Sequence, residues 1–204
     1  MPHKLLMARF TTTVKLRSIY MYNNQFVYCP YYMEQPTYRN KMQSFAAFSG
    51  TVTRIEDFSP GPNDASSGCN KLMSLENKDR GPVNFVISPN TYFVDHKVVE
   101  VGDEVTGFYD ANAPAILIYP PQYPAIVMVK DTDYQNVTVD YFNNQLINSD
   151  GNLKLNIAPS TEVILTNDQL FNRYPGNRNL IVIYGPTTKS IPAQTTPYKI
   201  IVLC

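Results

Sequence analysis

Apolar and polar residues along this chain alternate in short runs that break at proline, glycine or paired asparagines. Nowhere do apolar positions recur at helical spacing over three or four turns. The runs therefore predict strands. GTVTRIEDF (Gly50–Phe58) sets Val52 and Ile55 among charged residues. CNKLMSLEN (Cys69–Asn77), VNFVISPNTYFV (Val83–Val94), EVTGFYD (Glu104–Asp110) and AIVMVK (Ala125–Lys130) follow as further extended runs. SPGPNDASSG, KDRGP and ANAPAILIYPPQYP separate them with turn and loop chemistry. A second series begins with VTVDYFNNQLIN (Val137–Asn148), a strand or hairpin, and continues through LKLNIAP, TEVILT, LIVIYG and YKIIVLC. Ahead of both series, residues 9–29 predict a hairpin that turns at Asn23-Asn24, between TTTVKLRSIYMY and QFVYC.

The two series match. Phe85/Leu155, Ile87/Ile157, Pro89/Pro159 and Thr91/Thr161 are offset by 70 positions, Tyr109/Tyr184 by 75, and Ile126/Ile200 through Lys130/Cys204 by 74. The repeat predicts a basic, Tyr-rich arm over residues 1–48, a first module over 49–130 and a second over 134–204. Five short strands with a turn between the third and fourth resemble the OB-fold, a small Greek-key barrel. The span from Val98 to Asp103 is too short for the helix that the commoner form of that fold carries there. The resemblance implies an all-β chain: two tandem five-stranded OB-like barrels preceded by an extended arm.

Composition supports the β reading. Tyr (15) and Phe (10) are abundant, 16 prolines interrupt any long helix, and a hydrophobic content of 44% suffices for packed cores. Charge adds an asymmetry. The chain is neutral, yet residues 1–45 carry six Lys/Arg (Lys4, Arg9, Lys15, Arg17, Arg39, Lys41) against Glu34, or +5, which leaves −5 on the remainder. Such a split points to the arm meeting an acidic surface on its own chain or a neighbour. Six dispersed charges are too weak a footprint to predict nucleic acid as the arm's partner. Tyr20, Tyr22, Tyr28, Tyr31, Tyr32 and Tyr38 crowd into the same region among Pro30 and Pro36, a composition that lies on another surface and builds no core of its own. Leu5–Met7 is too short an apolar run for a secretion signal, and no stretch reaches the length of a membrane helix. The expected location is the cytoplasm, or a spore or cell surface reached by a non-classical route.

Candidate chemistry is sparse. Three cysteines make neither a disulfide framework nor a zinc site, although Cys29 and the terminal Cys204 are candidates for cross-links between chains. Only His3 and His96 are present, the nine glycines are isolated, and no nucleophile–base arrangement emerges. Glu56-Asp57 and Asp103-Glu104 are adjacent on strands and so point to opposite faces. The expectation is a non-enzyme with no cofactor and no metal. The loop joining strands four and five carries the one distinctive cluster: Tyr109, Asp110, Asn112, Tyr119, Gln122 and Tyr123. In OB-like barrels this loop borders the ligand face, where rings stack on bases or sugars. The match of Tyr109 to Tyr184 favours a structural role for that ring. The leading expectation is a bacterial structural protein that assembles with itself, the arm of one copy docking on a β module of the next in a filament, coat or surface layer. The alternative is an OB-like module binding oligosaccharide or single-stranded nucleic acid, the latter disfavoured by the acidic body.

Overall fold

The computed structural model describes residues 20–22, 25–27, 43–59, 68–114 and 117–204. The chain divides into two units, Met1–Thr37 and Tyr38–Cys204. In the first, β1 (Tyr20–Tyr22) pairs antiparallel with β2 (Gln25–Val27), as the inner part of the predicted hairpin requires, while the rest of residues 9–29, with Asn23 and Asn24, lies outside the described residues. Tyr28, Cys29, Tyr31, Tyr32 and Tyr38 lie outside the described residues.

The second unit is all-β, a stack of sheets whose described residues include one short 3-10 turn, Val94–His96. Its longest strand, β3 (Phe45–Phe58), has 14 residues because it serves two partners in succession. Phe45–Thr51 pairs antiparallel with β7 (Glu104–Asp110), and Thr51–Phe58 pairs with β4 (Asn70–Asn77), with a bulge between Val52 and Arg54 where the strand turns from one to the other. β4 pairs in turn with β5 (Gly81–Ile87). The run from Gln122 to Lys130 forms β8 (Gln122–Pro124) and β9 (Val127–Lys130). β8 runs parallel to β5, while β9 lies between β7 and the short β6 (Tyr92–Phe93). One run thus supplies the last strand at one end and the second strand at the other end of the seven-stranded order β6-β9-β7-β3-β4-β5-β8.

The second half pairs by the same scheme. β10 (Asn136–Phe142) pairs with β13 (Arg178–Tyr184), and β13 with β15 (Pro197–Leu203). β11 (Leu153–Leu155) and β12 (Glu162–Leu165) run parallel to β14 (Ala193–Thr195) and β15. Between β10 and β11 only isolated bridges, Phe142↔Asn148 and Ile147↔Lys154, stand where the first half has the β4–β5 hairpin.

One corner is built identically in both halves. The Thr91 hydroxyl accepts from the Ser88 N–H (3.0 Å) and donates to the Ala125 carbonyl (2.8 Å). Thr161 accepts from the Ala158 N–H (3.2 Å) and donates to the Pro197 carbonyl (2.8 Å). Because Ala125 corresponds to Pro197, the closing strands are offset by 72 positions, which corrects the 74 inferred from Ile126/Ile200.

Three apolar clusters follow from these pairings. Phe48, Val52, Leu75, Phe85, Val105 and Met128 fill the interior of the first half. Phe142, Leu155, Leu180, Val182, Ile200 and Val202 fill the second. Between the halves, Phe108, Val127 and Val129 meet Val139, Ile181, Ile183 and Ile201. Strands β9, β13 and β15 are therefore buried on both faces, which is why VMV, LIVI and IIV are unbroken apolar runs. An ion pair, Lys199–Asp95 (2.8 Å), and a hydrogen bond, His96–Asp168 (3.1 Å), cross the same junction. No helix among the described residues is long and apolar enough to cross a membrane.

Candidate functional site

The loop cluster singled out by sequence separates into two groups. Tyr109 on β7 and Tyr123 on β8 stack on one another, centroids 4.1 Å apart and planes 18° from parallel. Both rings lean on Phe85, at 6.0 and 6.4 Å, and cover the interior cluster of the first half. Burial, and next the neighbouring Tyr123, hold the Tyr109 phenol above its ordinary pKa. Each ring thus gives one face to the other, and the pair closes the apolar core. Gln122 lies on the parallel ladder opposite Asn84. Asp110 accepts from the Gln43 side-chain amide (3.1 Å) and the Asn112 N–H (2.8 Å), an arrangement that shapes the turn after β7. Tyr119 stands apart. It is exposed, as are Leu117 and Ile118 before it, so the tip of this loop presents apolar side chains to solvent.

The paired carboxylates divide as adjacent strand residues should. Glu56 meets Arg54 and Asp57 meets Lys71. Asp103 accepts from Lys130 (2.7 Å), whose ammonium holds the carboxyl below its ordinary pKa, while Glu104 accepts from the Thr51 hydroxyl. Among the described residues no three His, Cys, Asp or Glu side chains converge as metal ligands would. Cys69 and Cys204 are free and exposed.

Of the hollows elsewhere in the body, two are lined by residues of both halves. The larger, about 1230 Å³, opens beside the 3-10 turn and is lined by Ile55, Met73, Ile87, Lys97, Asn179 and Cys204 among others. The smaller, about 300 Å³, lies where the halves join, between Thr106 and Phe108 of β7, the Lys130–Gln135 linker, and Asn136 and Val137 of β10. Asp131 sits in it and accepts from the Thr106 hydroxyl (2.9 Å), which also bonds Ser49 (2.7 Å). Burial of the carboxyl pushes the Asp131 pKa up, and the nearby Glu104 pushes it the same way.

The edges beside this cleft differ between the halves. Ser44 accepts from Ala111 on the β7 side, and Val52 exchanges bonds with Gly102 and Asp103 there, so the even positions of β3 face β7. The odd ones face away and are capped: the Ser49 carbonyl accepts from Asn77 Nδ2 (2.8 Å) and that of Ala47 from Arg80 Nη1 (3.4 Å). Arg80 also lies over the Phe48 ring at 4.7 Å. In the second half, Val137↔Ile183 and Val139↔Ile181 take the places of Ala47↔Phe108 and Ser49↔Thr106. Beyond them the β4–β5 hairpin is replaced by a tight turn, and among the described residues nothing pairs with or caps the outer edge of Val137 and Val139. Sequence reading passed over this edge and Asp131. The available signal was the acidic segment DTD three residues ahead of the strand VTVDYF. Neither the known protein families, nor the curated proteins, nor the solved structures contain a match to this chain.

Proposed function

We propose that the body is a pair of OB-like barrels placed back to back, and that the protein is a non-catalytic assembly subunit whose N-terminal arm docks on a β module of a neighbouring copy. The observation that carries this reading is the division of the chain: the first 37 residues form a unit of their own with a two-stranded hairpin. That unit lies within a region of opposite charge to the rest of the chain, so attraction between copies is built into the sequence. Repetition of one arm-to-body contact is heterologous and gives a filament or lattice unless rotation closes it. The two corresponding Thr corners and the shared pairing scheme support the barrel reading.

Light scattering and negative-stain imaging of the full chain against a chain lacking residues 1–37 test it. The full chain should assemble and the shortened one should be a folded monomer. Equal assembly by both would sink the proposal. A second reading, a module for oligosaccharide, draws on exposed Tyr119 at the loop tip, since an exposed ring can stack on a sugar face. A monomeric full chain retained on a glycan surface, and released by Tyr119→Ala, would select that reading instead.

A further inference from the structure

We propose that the outer edge of β10 and the acidic cleft beside it are the seat of the arm, and that the segment seated there is residues 11–17 of a second copy. The inference rests on the assembly reading above and gives it an address. Three observations meet at this place. Val137 and Val139 direct their outer backbone groups to a side where no described residue pairs with them, whereas Asn77 and Arg80 cap the corresponding carbonyls of the first half. An unpaired edge of this kind accepts an added strand through main-chain hydrogen bonds. The cleft that begins at Asn136 and Val137 holds Asp131, and Glu104 stands near enough to disfavour its charge. Both acids bond hydroxyls, Thr106 and Thr51, and neither forms an ion pair among the described residues. Lys130 also lines the cleft but is held by Asp103, so neither acid has a cationic partner among the described residues.

Residues 11–17, TTTVKLR, supply what is missing. Threonine and valine suit an extended backbone, and the period of two puts Lys15 and Arg17 on one face with Val14 and Leu16 on the other. Laid along β10, such a strand carries its cations on the face that meets the acidic cleft and its apolar residues on the other. The charge of the whole region, +5 over residues 1–45, favours this surface over one rich in lysine.

The experiment uses the full chain, with sedimentation velocity as the readout. Val137→Pro removes an N–H that points away from β13, so the β10–β13 ladder survives while the outer edge loses its donor. Far-UV circular dichroism checks that the fold is kept. The concentration at half-assembly should rise roughly tenfold or more for Val137→Pro and for the double variant Lys15→Glu/Arg17→Glu. Asp131→Lys should weaken assembly alone and restore it when combined with Lys15→Glu/Arg17→Glu. If Val137→Pro fails to fold, the charge reversal decides. Arm-dependent assembly that ignores both Val137→Pro and the reversal would overturn this seat and leave the assembly reading standing. A chain that is monomeric with or without its arm would fail that reading first.

Discussion

Phe85 and Gly107 divide between them a volume that Leu155 and Val182 share in the other half. Gly107 lies opposite Met128, and Val182 lies opposite Ile200 at the corresponding place. A Cβ on Gly107 would come within 2.6 Å of the Phe85 ring, which is fully buried, so the ring occupies the space a side chain would need. In the second half a medium residue stands at each position, and both are fully or nearly fully buried. This is one core volume partitioned in two ways. Gly107→Val should therefore cost about 2–3 kcal/mol or more by overpacking, and Phe85→Leu about 1–2 kcal/mol by leaving a void. The double variant should recover at least about 1 kcal/mol of the summed loss, because each change makes room for the other. Urea unfolding of the four proteins measures the cycle. Strict additivity would mean that the two positions are not the paired volume described.

At the scale of the elements, two carboxyls beside the end of β9, Asp103 before β7 and Asp131 after β9, are shifted in opposite directions. Lys130 holds Asp103 low, so that pair contributes stability above the ordinary carboxylate pKa and loses it as pH falls through the lowered folded value. Asp131 is held high by burial and by Glu104. Its ionised form is penalised at neutral pH, and the penalty fades as pH falls from the raised folded value to the ordinary one. Asp131→Asn keeps an acceptor for Thr106 and should raise the melting temperature at pH 7, with the gain vanishing below about pH 4. A gain that persisted in acid would assign it to something other than charge. The strands themselves were largely legible. Runs such as LIVIY and KIIVL declare two buried faces and the sequence marked most of the strands, but it read β8 (Gln122–Pro124) as loop and joined β5 to β6. The offset of the closing strand was not legible, because sliding YKIIVLC by two residues leaves every side chain on the same face. Only the Thr91 and Thr161 hydroxyls, each bonded to one carbonyl, set it. The geometry of the aromatic loop was hidden for a related reason: sequence shows that Tyr109 and Tyr123 are present but not that they stack on each other. The β10 edge was hidden because an edge consists of what does not lie opposite a strand.

At the scale of the whole molecule, the likeness in strand pairing of the two halves and the packing between them pull in different directions. A tandem repeat suggests two halves able to stand alone. The cluster between them argues otherwise, since Val139, Ile164, Ile181, Ile183 and Ile201 are all buried there against residues of the first half. Corresponding positions meet across this junction. Val129 matches Ile201 and Phe108 matches Ile183, so each half offers the other much the same face. Cutting the chain exposes that face on both pieces, a contiguous apolar patch of the kind that drives aggregation. Residues 134–204 expressed alone should consequently be insoluble or lack fixed tertiary structure, with weak near-ultraviolet dichroism and strong binding of a hydrophobic dye. The intact body should instead unfold in one transition, because loss of either half removes half the walls of the shared cluster. Ile181→Ala, at its centre and fully buried, should lower the midpoint of that single transition by about 2–5 kcal/mol without splitting it. Two resolved transitions, or a soluble second half that unfolds cooperatively, would mean that the repeat outweighs the junction. The body would then be two independent modules and not one cooperative unit.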